Sequence, residues 1–116
     1  MAIELPMTGG CACGDIRYEC SEAPLFMFFC RCRGCQQATG GQYAANVWFP
    51  TPSVTIVKGT IKSHSTDTLT GRPAHQDFCG ECGSPIGMRA ESWSEIRGLR
   101  AGSFDDASIL QPSANV

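Results

Sequence analysis

Gly10-Cys11-Ala12-Cys13-Gly14 near one end of the chain and Phe78-Cys79-Gly80-Glu81-Cys82-Gly83 toward the other each hold two thiols in a tight turn. Between them, Cys30-Arg31-Cys32-Arg33-Gly34-Cys35 holds three. Tetrahedral zinc sites differ by ligand count: four protein ligands close a structural site, while three leave a position open for chemistry. Two pairs complete one closed site, and the triplet has the size of an open one. Joining either pair to the triplet would give five ligands, too many for a tetrahedral ion. The economical partition is Cys11, Cys13, Cys79 and Cys82 as a structural site, with Cys30, Cys32 and Cys35 holding a second metal.

Spacing favours metal over disulfides, which are the alternative. A redox Cys-x-x-Cys opens a helix, whereas Cys82 is followed by Gly83, Ser84 and Pro85, poor helix material. Residues 1–6 lack a basic region leading into an apolar stretch, so no secretory signal is expected. A thiol-rich chain of this kind is expected in the reducing cytoplasm, where such clusters bind metal or do chemistry. The apolar run around residues 25–29 is far too short to span a membrane.

The 116 residues predict a single domain, residues 1–116, with 13 glycines and 7 prolines breaking it into short elements. A formal charge of −2 argues against nonspecific binding to nucleic acid or an anionic membrane. Residues 15–20 alternate Ile16, Tyr18 and Cys20 with Asp15, Arg17 and Glu19, which predicts a half-buried strand. Residues 25–29 and 43–49 read as further strands, the latter stopped by Pro50 and Pro52. Residues 34–39 predict a helical turn ended by Gly40-Gly41. Residues 54–58 and 61–65, split by Gly59-Thr60, predict a hairpin. Residues 96–101 alternate as a short strand. The class is mainly β.

Cys20 has the strand parity of Ile16 and Tyr18 and reads as a small buried hydrophobe. His64 and His75 are the available closers of the second site, though neither has the spacing of a two-histidine motif. Phe26, Phe28, Trp48 and Phe49 read as core, and Trp93 as a pocket wall. An open three-thiolate zinc is a weaker Lewis acid than a histidine site and suits binding an incoming thiol. Arg31 and Arg33 interleave the triplet, and guanidinium forks match carboxylates. They predict an anionic thiol substrate; the alternative is that they balance thiolate charge or face water.

The order of these motifs, with Phe78-Cys79-x-x-Cys82-Gly83-Ser84-Pro85 and Ala101-Gly102-Ser103-Phe104-Asp105-Asp106, resembles the glutathione-dependent formaldehyde-activating enzyme family, which includes centromere protein V. The resemblance runs over residues 9–112. It implies a Mss4-like zinc-binding β-sandwich of short antiparallel strands. It also implies the same split, with one structural Zn(2+) and a catalytic one at Cys30, Cys32 and Cys35. The activity it implies is that of a carbon–sulfur lyase read backwards: condensation of formaldehyde with glutathione to S-hydroxymethylglutathione. Relatives commonly carry His where this chain has Arg31. The expectation is a zinc-dependent enzyme acting on a small thiol, glutathione-type, and an aldehyde. The alternatives are a non-catalytic zinc module that binds another protein, as centromere protein V suggests, and a thiol redox sensor.

Overall fold

The structure is a computed structural model that describes residues 4–68, 71–106, 108 and 114–115. Its strands are β1 (Met7–Gly10), β2 (Arg17–Cys20), β3 (Phe26–Cys30), β4 (Ala44–Pro50), β5 (Val54–Lys58), β6 (Ile61–Thr66), β7 (Ala74–Cys79), β8 (Pro85–Ala90), β9 (Ile96–Arg100) and β10 (Ala114–Asn115). Among the described residues one α-helix, α1 (Arg33–Thr39), accompanies them. A three-stranded antiparallel sheet has the order β1-β2-β5, and a larger one the order β10-β3-β4-β9-β8-β7-β6. The larger sheet is antiparallel apart from the β10–β3 pair.

Alternation sets the contact between the sheets. Ile16, Tyr18 and Cys20 are fully buried while Glu19 faces solvent, so β2 turns one face inward. They meet Met27, Val47, Phe49, Ile86 and Leu99 from the large sheet in one core. β4 is covered on both faces and therefore reads as a nearly continuous apolar run. Its other face, with Ala44 and Trp48, packs with Cys35 of α1, Met88 and Ile96 in a second core. That second core supports the helix carrying the thiol triplet.

α1 begins and ends for legible reasons. Cys32 is its N-cap, with Sγ accepting the Cys35 N–H at 3.4 Å. Gly40 stops it at φ 75, the left-handed conformation glycine adopts without a Cβ penalty.

Two features differ from the sequence reading. The hairpin expected across Gly59-Thr60 does not form: β5 pairs with β2 in the small sheet, and β6 with β7 in the large one. Gly59 is instead a crossing point, at φ +84, where a Cβ would lie 2.3 Å from the Asp15 carbonyl oxygen. The turn chemistry was right, but local turn signals do not say which sheet each arm joins. β1 was not anticipated, because its Gly9 and Gly10 look like loop. Close approach explains the first of them: a Cβ on Gly9 would sit 2.4 Å from the Tyr18 hydroxyl and 2.5 Å from the Ser103 carbonyl.

Gly87 offers a direct check on this packing. A Cβ there would fall 2.0 Å from the Gly98 carbonyl oxygen of the paired strand, and backbone cannot move aside cheaply. Gly87→Ala is expected to lower stability by about 3 kcal/mol in urea denaturation. Gly102→Ala, with open space around it, should change stability by under about 0.5 kcal/mol. Equal effects would contradict the β8–β9 register.

Among the described residues no helix is long and apolar enough to cross a membrane.

Candidate functional site

The first knuckle joins β1 to β2 and the second joins β7 to β8, so one comes from each sheet. Each is a turn closed by a glycine: Gly14 N–H to the Cys11 carbonyl at 3.2 Å, and Gly83 N–H to the Cys79 carbonyl at 2.8 Å. Both glycines have φ near 80, at +80 and +78. The turns are bound to each other through Ala12 N–H and Ser84 Oγ, 3.1 Å apart. The result brings the sulfurs of Cys11, Cys13, Cys79 and Cys82 within 4.8 Å of one another.

These four thiols fit a metal. An ion bonded to four sulfurs at about 2.3 Å spaces them about 3.8 Å apart. The Cys11–Cys13 and Cys13–Cys79 sulfurs are 3.5 and 3.8 Å apart. Backbone donors face the sulfurs as thiolates require: Ile16 N–H on Cys11 at 3.2 Å, and Glu81 and Cys82 N–H on Cys79 at 3.4 and 3.5 Å. The Ile16 amide foremost lowers the Cys11 pKa, and the Ser84 hydroxyl followed by its amide brings Cys82 to about 5.

The triplet is assembled by one strand end and one helix start. Cys30 ends β3, Cys32 caps α1 and Cys35 lies in its first turn, with all three sulfurs within 4.8 Å. Cys35 is fully buried and Cys32 exposed, so the group opens to solvent on one side. A hydrogen bond from Cys35 is the main reason the Cys30 thiol is brought down to about 5, against the opposing effect of burial. Cys35 is pushed up by the same bond and by burial. Three thiols so placed can hold an ion and leave a coordination position free. The eighth cysteine, Cys20, is outside both groups, fully buried and pushed up to about 12 by burial.

The buried arginine linked to the triplet through intervening side chains is not one the sequence singled out. Arg31 is exposed, its guanidinium over the Tyr43 ring at 5.6 Å, and the exposed Arg33 bonds Gln36 of its own helix. Arg100, at the end of β9, is only 6% exposed; burial pushes its pKa down, opposed by negative charge at Cys35, Cys30, Cys32 and Asp77. Contacts link it to the triplet step by step. Cys35 Sγ lies 3.7 Å from Met88 Sδ, Met88 Sδ 3.4 Å from Asn46 Nδ2, and Asn46 Oδ1 accepts from Arg100 Nη1 at 2.5 Å. The available signal was parity: Arg100 shares a strand face with Ile96 and Gly98, where a buried charge is out of place unless it serves something.

The other candidates lie apart. His75 sits between Ser65 Oγ at 3.1 Å and Glu91 Oε2 at 2.8 Å, and His64 beside the Phe78 ring. Neither joins a cysteine group among the described residues. Trp93 is half exposed and packs on Phe26 and Trp48. It does not wall either cavity near the thiols. The larger of these, about 600 Å³, runs from Thr39 and Tyr43 past Arg100 to Ser84 and Ser103. The smaller, about 240 Å³, lies below α1 between Gln37, His64, Gln76 and Arg100. The triplet sulfurs line neither cavity, and Arg100 borders both.

Comparison with known proteins agrees with this architecture. A family model described as glutathione-dependent formaldehyde-activating enzyme matches residues 6–116. A crystal structure of a Rhodobacter sphaeroides protein, a structural genomics target, superposes with a TM-score of 0.73 at 20% identity. The match covers 95% of this chain and 100% of that one, and at this identity it speaks for the fold.

Proposed function

Because the chain belongs to the glutathione-dependent formaldehyde-activating enzyme family, we propose that it is a zinc-dependent enzyme of the carbon–sulfur lyase type, joining a small glutathione-like thiol to an aldehyde. The observation that carries this reading is the under-coordinated trio of Cys30, Cys32 and Cys35, open at Cys32 and backed by the buried Arg100. Cys11, Cys13, Cys79 and Cys82 are read as the structural site.

When bound at the trio, zinc supplies a cation that holds sulfur as thiolate or polarises a carbonyl oxygen. The chain's own residues do the remainder. Cys30, Cys32 and Cys35 fix that position at the junction of β3 and α1. Arg100 stabilises negative charge on the nearby sulfurs without contributing a ligand. The cavity of about 600 Å³ is within the size range of small-molecule sites and offers Thr39, Tyr43 and Ser103 for the polar body of a thiol. In the reaction a sulfur lone pair forms the new bond to the carbonyl carbon. The π pair of the aldehyde moves to its oxygen, which takes up the proton lost by the thiol. Holding both reactants together accounts for most of the acceleration.

Three measurements test the reading. Metal quantitation should find two zinc equivalents per chain, and calorimetry at millimolar glutathione should show saturable heat that disappears in Cys35→Ala. Wild-type protein with glutathione and formaldehyde should accelerate adduct formation followed by NMR. Absence of both heat and acceleration in protein carrying two equivalents would defeat the enzymatic reading and favour a binding module.

A further inference from the structure

Aromatic rings lie together on the sheet face that carries the thiol trio. Phe26 and Phe28 leave β3 with the parity of Cys30, and all three pack against the second core, which holds Trp48 and Cys35. Trp93, in the turn between β8 and β9, completes the group. Ring centroids are 5.6 Å apart for Phe26 and Phe28, and 5.9 Å for Phe28 and Trp48. Trp93 is 6.4 Å from each of Phe26 and Trp48. These pairs are inclined by only 12–34°, so the rings form one layer with a common tilt.

Burial divides the layer. Trp48 is 4% exposed, its ring against Gly98, where a Cβ would meet three ring atoms at 3.2–3.3 Å. Trp93 is 51% exposed, and Phe26 and Phe28 each keep part of their surface open. Trp48 is sealed; the other three offer contiguous apolar surface to water, which marks a binding face where isolated exposed residues would not. Position says what the face can hold. Phe28 is two residues before Cys30, about 7 Å along the strand. A group attached to a carbon at the trio reaches Phe28 first, with Phe26 and Trp93 beyond it. The cavity of about 600 Å³ meets β4 at Ala44 and Ala45, whereas the rings meet it at Trp48. Two reactants can therefore approach the trio from different ends of one strand.

We infer that this layer binds the substituent of the substrate aldehyde, and that the substituent is aromatic. The cavity takes the polar body of the thiol, which leaves the rings to the other reactant. A flat guest tilted like its hosts can stack on Phe28, Phe26 and Trp93 together, and offset stacking favours an aromatic ring over an aliphatic chain of equal area. In the reaction the thiol sulfur forms its bond to the carbonyl carbon, the π pair moves to oxygen, and oxygen takes the thiol proton. The product is a hemithioacetal with an aryl group on the new carbon. Formaldehyde has no substituent and leaves the layer unused. The assignment to an aldehyde rests on the proposed function; the affinity of the layer for an aryl group does not.

The test compares aldehydes on the zinc-loaded chain with glutathione, each rate divided by its uncatalysed counterpart. Benzaldehyde should exceed acetaldehyde in kcat/KM by about tenfold or more, and cyclohexanecarbaldehyde by about threefold. Trp93→Ala should cut the preference for benzaldehyde about fivefold, through KM, and Trp93→Phe should restore most of it. A merely structural role for Trp93 would lower all three aldehydes alike. Benzyl alcohol, which cannot react, should bind saturably with nuclear Overhauser contacts to the Trp93 ring. If acetaldehyde is turned over while benzaldehyde gains nothing, or Trp93→Ala lowers every aldehyde equally, the inference falls and the thiol–aldehyde reading stands. If no aldehyde is turned over, that reading falls and benzyl alcohol decides the layer: contacts with Trp93 uphold an aryl-binding face, and none overturns it. A dimer that Trp93→Ala dissociates, seen by sedimentation, would give the face to a second copy and overturn the inference.

Discussion

Cys79→Ser is expected to leave the chain unfolded under conditions where the wild type is folded. Structural zinc contributes apparent binding energies of about 10–16 kcal/mol in small finger peptides, much of it as folding energy. A domain of this size holds only about 5–15 kcal/mol of net stability, so losing most of that contribution is decisive. Cys79 is 1% exposed, and its sulfur receives two backbone N–H groups that serine would meet at the wrong distance. Far-UV circular dichroism and metal analysis should show lost strand signal and lost metal together. Cys20→Ser supplies the contrast: a buried thiol outside both groups should cost only about 1–3 kcal/mol and no metal. A folded Cys79→Ser protein with its full metal complement would refute the structural assignment of the four-thiol group.

Cys35→Ala should do the reverse, sparing the fold and removing the chemistry. Its side chain is small and contacts Met88 in the second core, so truncation should cost about 1–2 kcal/mol. Turnover of thiol and aldehyde should fall by about 10³-fold or more, because several kcal/mol of transition-state stabilisation depend on the held ion. One of two metal equivalents should be lost with it. Arg31→Ala, at an exposed guanidinium over Tyr43, should change turnover less than about threefold. Retained turnover in Cys35→Ala would move the reacting centre elsewhere.

How much of this was legible in the sequence depended on how local each signal was. Ligand spacing is local, so the two cysteine groups could be sorted by counting, and they gather in space as sorted. The helical turn ending at Gly40 and the alternation around Tyr18 were local too. Sheet membership is not local: the arms on either side of Gly59 carried correct strand patterns but diverge into different sheets. Adjacency in sequence pointed to two cations and gave no sign of a third. Arg31 and Arg33 alternate with the cysteines, yet α1 and the strand end turn them outward, while Arg100 arrives from β9 through side-chain contacts that no spacing encodes.

The link between the two knuckles has a consequence for how the chain is made. Cys13 and Cys79 are separated by 66 positions. On a ribosome adding roughly 5–20 residues per second, the first pair waits about 3–13 s before its counterpart is synthesised. Throughout that interval the nascent polypeptide displays the first pair of thiols without its partners. Yield in cells should therefore depend on metal supply and oxidant exposure during translation more than on the durability of the finished molecule.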